Sequence, residues 1–85
     1  MRLLKFYATW CNPCKLQSKY LENVTGVTIE EYNIEDEANE DLVIKYKVRS
    51  VPKVVLVDDE GNSLKEFQGL TTSETLQSCI DELLK

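Results

Sequence analysis

The chain has 85 residues, 42% of them apolar, which is enough for one small domain with little core to spare. Its charge of −5, from 10 basic and 15 acidic residues, leaves no basic stripe for nucleic acid. No apolar run approaches the ~20 residues that cross a bilayer, so no membrane partner is expected.

The first segment, Leu3–Ala8, is short, apolar and partly aromatic. It predicts a strand buried on both faces, with Lys5 as the anomaly. The segment Trp10-Cys11-Asn12-Pro13-Cys14-Lys15 follows. Pro13 suits the first turn of a helix, where its missing N–H costs nothing. Leu16, Tyr20 and Val24 are spaced by four and predict that helix's buried stripe, ending near Gly26. Val27–Ile34 alternates apolar and polar residues, with a change of phase at Glu30-Glu31, and predicts a second strand.

Asp36 is a helix N-cap candidate, and the acidic residues behind it suit the positive end of a helix dipole. Ala38, Leu42 and Tyr46 supply that helix's stripe. Lys53–Val57, just after Val51-Pro52, is rich in β-branched residues and predicts a strand. Asp58–Asn62 reads as a turn and Ser63–Gln68 as the returning strand of a hairpin. Thr71 with Glu74 fits a capping box. Leu76, Cys79, Ile80 and Leu83 mark the apolar face of a last helix, with Cys79 as a small core residue. The order β-α-β-α-β-β-α predicts an α/β fold, a four-stranded mixed sheet with helices on both faces. One domain over residues 1–85 holds all of it.

The chemistry lies in Cys11 and Cys14. At a helix start, the Cys11 sulfur meets free backbone N–H groups and the positive dipole end, which favour the nucleophilic thiolate. Cys14 lies almost a turn later, within disulfide reach. One sulfur is expected to stand exposed while the other waits beneath it. Cys11 then attacks a substrate disulfide and Cys14 resolves the mixed disulfide. A structural zinc needs four ligands, and beyond the pair only Cys79 is left, with no His in the chain. A permanent staple across so short a loop constrains the unfolded chain least. No metal and no cofactor are expected. Three cysteines, an odd number, and the lack of a cleavage site before Trp10 favour a reducing cytoplasm over a secreted scaffold.

Trp10–Lys15 resembles the thioredoxin motif W-C-G-P-C-K, with Asn12 in place of Gly. Pro52, 38 residues after Cys14, closes a segment similar to the one that ends in that family's cis-proline. Gly61 and Gly69 also fall where the family has glycines. The likeness runs from Arg2 to Leu84 and is to the small glutaredoxin-like thioredoxins of phages and archaea, since the chain begins where longer thioredoxins have already formed a strand and a helix. It implies a protein dithiol–disulfide oxidoreductase, acting as a monomer on disulfide-containing proteins and served by a thioredoxin-reductase-type donor. It implies a cis Val51-Pro52 bond whose backbone pairs with substrate, and a docking patch of Trp10, Asn12, Pro13, Val51 and Pro52. A glutathione-dependent thiol transferase of glutaredoxin type is the alternative, although only Gly69 stands where that group has paired glycines. A non-catalytic binding subunit on the same fold is another.

The resemblance also has a chemical departure. Where thioredoxins carry a buried Asp, this chain has Lys5, and where they carry a Lys on the next strand it has Glu31. A partly buried Lys5–Glu31 ion pair beneath Cys14 is expected, tuning the thiols as a cation or serving as a base when neutral.

Overall fold

The computed structural model describes all 85 residues, Met1–Lys85. Strand β1 (Arg2–Tyr7) is the hub of its single sheet. It pairs in parallel with β2 (Thr28–Asn33) and antiparallel with β3 (Lys53–Val57). Strand β4 (Ser63–Gln68) extends the sheet antiparallel to β3, giving the order β2-β1-β3-β4. The two central strands are the two with near-continuous apolar sequence. Leu3, Leu4 and Phe6 of β1 and Val54–Val57 of β3 are buried, as both faces of an inner strand must be. The sheet and its helices are the α/β arrangement that the element order predicts.

Helices α1 (Asn12–Leu21) and α3 (Ser73–Leu83) cover one face. There Leu21, Val24, Leu76 and Ile80 meet Leu3, Val54 and Leu56. Helix α2 (Glu40–Lys45) lies over the other face, where Tyr46 and Leu42 pack with Leu4, Phe6, Val55 and Val57. Each fully buried Leu, Ile or Phe contributes about 1.5–3 kcal/mol, so the two thin cores share the stabilisation.

The faces explain the change of phase in the second strand. The β1–β2 register runs unbroken from Arg2–Thr28 to Tyr7–Asn33. Strand side chains alternate, so Ile29 joins the α1/α3 core while Tyr32 joins the α2 core. The strand does not slip; its apolar residues move from one face to the other.

Three sequence expectations are corrected. Leu16 lies on the outer side of α1, 40% exposed, and the buried residues of the helix are Cys14, Gln17 and Leu21, with Val24 beyond its end. The helix begins at Asn12, and a 3.6-residue period drawn through Cys14 passes through Gln17 and Leu21, not Leu16. The second helix is broken. Asp36 does cap it, with Oδ1 accepting from the Ala38 N–H at 3.0 Å, but only over a 3-10 turn, Glu37–Asn39, before α2 starts. Ala38 is therefore exposed while Leu42 and Tyr46 pack. At the last helix the cap is Thr72, whose Oγ1 accepts from the Thr75 N–H at 3.3 Å, in place of the Thr71–Glu74 box. Thr71 has another task. Its N–H and C=O both bond the side-chain amide of buried Gln17, each at 2.8 Å, and so tie α1 to the start of α3.

Candidate active site

The turn after β1 brings the chain to Cys11, whose N–H donates to the Ala8 carbonyl at 3.1 Å. Cys11 is the N-cap of α1, in extended backbone geometry, and its Sγ accepts from the Cys14 N–H at 3.1 Å. An N-cap acceptor satisfies one of the free N–H groups of the first turn, and here the acceptor is a sulfur. The same N–H favours negative charge on that sulfur when the pair is reduced. Pro13 fills the first turn without contributing an N–H.

Cys11 and Cys14 are joined as a disulfide, with Cα atoms 5.3 Å apart. The expectation of an exposed Cys11 above a covered Cys14 does not describe this oxidised state, in which the two residues are 3% and 2% exposed. The bond draws both sulfurs against Ala8, and Tyr7, Ile34 and Val51 close around them. Trp10, by contrast, is 66% exposed beside them, and Asn12 and Pro13 are also exposed.

The Val51-Pro52 bond is cis. Val51 packs on the disulfide cluster, and Pro52 is buried at the start of β3. The Pro52 carbonyl accepts from the Gly69 N–H at 2.9 Å, and the Gln68 side chain donates to Ser50 Oγ at 2.8 Å. Both bonds hold the loop against the end of β4. The Val51 N–H and C=O, by contrast, make no hydrogen bond within the chain.

Lys5 and Glu31 are directly paired in the β1–β2 register. Lys5 is buried, 3% exposed, so its ammonium does not reach bulk solvent at the sheet edge. Its Nζ donates to Glu31 Oε1 at 3.4 Å and to Ser18 Oγ, and lies 5.2 Å from the centre of the Tyr7 ring. Lys5, Glu31, Ser18 and Cys14 line one open cleft of about 300 Å³, with Lys15 and Thr9 at its sides. Sequence reasoning missed Ser18. The signal was present, because Ser18 is four residues after Cys14 and so shares its helix face.

A helix-capping dithiol pair, a cis-proline loop packed against it and an exposed tryptophan beside it, on a four-stranded mixed sheet, define a thiol–disulfide oxidoreductase. The thioredoxin family model matches residues 1–82. A thioredoxin of Chlamydia pneumoniae is 34% identical over 84 residues, covering 94% of this chain and 79% of the relative. The SPbeta prophage-derived thioredoxin-like protein YosR of Bacillus subtilis is 34% identical over 85 residues, covering 100% of this chain and 96% of that protein. A solved structure of a mutant thioredoxin from Halobacterium salinarum superposes with a TM-score of 0.82 at 30% identity, over 98% of this chain and 74% of its own. The chain belongs to the thioredoxin family. Disulfide substrates and reductase partners are general to that family, and no helix here is long and apolar enough to cross a membrane.

Proposed function

We propose that this chain, as a single domain over residues 1–85 and a monomer, reduces disulfides in protein substrates in the cytoplasm. The observation that carries the reading is the Cys11 sulfur at the N-cap of α1, bonded to the Cys14 N–H. In the reduced protein the Cys11 thiolate attacks one sulfur of the substrate disulfide. The substrate S–S bond breaks, a Cys11–substrate disulfide forms, and one substrate sulfur leaves as a thiolate. The Cys14 thiolate then attacks Cys11 Sγ, the second substrate sulfur leaves, and the Cys11–Cys14 disulfide forms. Two electrons have passed to the substrate, whose two sulfurs take protons from water. A dithiol donor of the thioredoxin-reductase type returns the electrons.

The docking face is the exposed set Trp10, Asn12 and Pro13 together with the Val51-Pro52 loop. The unpaired backbone groups of Val51 support this, because an extended substrate segment beside the disulfide can bond them as an added strand does. Trp10 offers a large apolar surface that docking removes from water.

The test uses a disulfide-bonded protein substrate and a dithiol donor. Cys11→Ser is expected to abolish turnover. Cys14→Ser is expected to stop after one step and accumulate a mixed disulfide on Cys11, visible by mass. Turnover that survives Cys11→Ser would sink the assignment. Turnover only with glutathione as donor would favour a glutaredoxin-type transferase.

A further inference from the structure

The two cysteines sit in different electrostatic settings. Cys11 has the helix N-terminus. Cys14 is inside the first turn, its own N–H is spent on Cys11 Sγ, and its side chain is 2% exposed. Burial in apolar surroundings disfavours a thiolate. Yet Cys14 must become one to resolve the mixed disulfide.

The groups facing Cys14 across the cleft come from three elements. Strand β1 supplies Lys5 and Tyr7, α1 supplies Lys15 and Ser18, and β2 supplies Glu31. The loops add only uncharged neighbours: Ala8, Thr9, Ile34 and Val51. Ser18 Oγ donates to the Cys14 carbonyl at 3.4 Å and accepts from Lys5 Nζ, so the ammonium is one hydroxyl away from the Cys14 backbone. The opposing charges are not equal in effect. The Lys5 side chain is 3% exposed and Glu31 is 48% exposed. Solvent screens the carboxylate far more than the ammonium. The ammonium is therefore the less screened of the two charges in the cleft.

We infer that Lys5 is a positioning residue for the resolving step. Held by Ser18 and Glu31, its ammonium favours the thiolate form of Cys14 in the reduced protein. This rests on the proposed dithiol mechanism and names what serves its second cysteine. The step it assists is attack of Cys14 Sγ⁻ on Cys11 Sγ, with the substrate thiolate leaving. The rate consequence is a compromise. A tenfold gain in thiolate is offset in part by weaker nucleophilicity, because the Brønsted slope is about 0.4–0.5, leaving a net gain of about threefold at neutral pH.

The experiment titrates Cys14 by thiolate absorbance in a Cys11→Ser/Cys79→Ala background and measures resolution from a preformed Cys11 mixed disulfide across pH. Lys5→Met is expected to leave about tenfold less Cys14 thiolate at neutral pH, to slow resolution there about threefold, and to resolve about threefold faster than the parent at high pH, where both thiols are ionised and the variant's thiolate is the stronger nucleophile. Glu31→Gln removes the opposing charge on a half-exposed side chain and is expected to move the titration the other way. Opposite shifts support the assignment. Unchanged titrations, or shifts in the same direction, overturn it. If Lys5→Met does not fold, the Glu31→Gln shift decides alone: downward supports, none overturns. Parent protein that turns over substrate while these titrations stay fixed removes only this inference; parent protein without turnover removes the mechanism beneath it.

Discussion

The sheet carries two buried lysines, one on each face. Lys5 of β1 is 3% exposed and Lys53 of β3 is 7% exposed. They lie at the same end of the sheet, where Phe6 pairs with Lys53 and Lys5 with Val54. Each has a glutamate on the neighbouring edge strand: Glu31 on β2 at 3.4 Å, Glu66 on β4 at 2.8 Å. What they face differs. Lys53 Nζ also donates to the Tyr46 carbonyl at 2.8 Å, closing the end of α2 over the second core. Lys5 is turned toward α1 and the cleft that reaches Cys14. Residue type, burial and pairing do not reveal whether a buried lysine holds the fold or serves the chemistry. The neighbouring element decides.

The largest expected stability effect is at Lys53. Lys53→Met leaves the Tyr46 carbonyl without its donor and is expected to cost about 1–3 kcal/mol in urea unfolding, with the Cys14 titration unmoved. A Cys14 shift in that variant would erase the distinction between the two lysines. Lys5→Met is expected to do the reverse, changing the titration while costing less than about 1 kcal/mol. Its glutamate is half exposed and rehydrates, the Ser18 hydroxyl keeps the Cys14 carbonyl as a partner, and a methionine is close to lysine in length. Equal losses of stability in the two variants would show that both lysines are structural.

The smallest effect is a pH dependence on the Lys53 side. The hydrogen bond from Lys53 holds the Glu66 carboxyl below its ordinary value of 4.5, against a smaller opposing effect of burial, and Ser63 adds a second bond. The folded state therefore binds that proton less readily than the unfolded chain. The contribution of Glu66 is fully present above pH 4.5 and is lost as pH falls through its lower folded value. Because Glu66 is 46% exposed, the loss is modest. Glu66→Gln should flatten that part of the acid-unfolding curve, and a curve identical to the parent's would mean that the pair stores no stability.

Much of this was legible in the chain itself. The strands of the inner sheet announce themselves as apolar stretches, Val54–Val57 without a break and Leu3–Phe6 interrupted by Lys5, because an inner strand has no solvent face to vary. The dithiol pair is a local matter of spacing, since residues three apart on a helix start are within disulfide reach. Helix α1 departs from its apolar spacing at Leu16, because a helix is expected to bury apolar residues and this one buries Gln17. A glutamine can be buried only where partners wait, and its partners are the N–H and C=O of Thr71, 54 residues away. The same holds for Lys5. Its pairing with Glu31 follows from aligning two strands, but the hydroxyl of Ser18 and the shared cleft with Cys14 require α1 to lie across that face of the sheet. The order of elements and the identity of the reactive pair can be read along the chain, because periodicity and spacing are properties of neighbouring residues. Which polar groups are buried and what charge each cysteine meets emerge with the packed fold, because satisfying a buried donor or screening a charge depends on groups that folding brings from elsewhere.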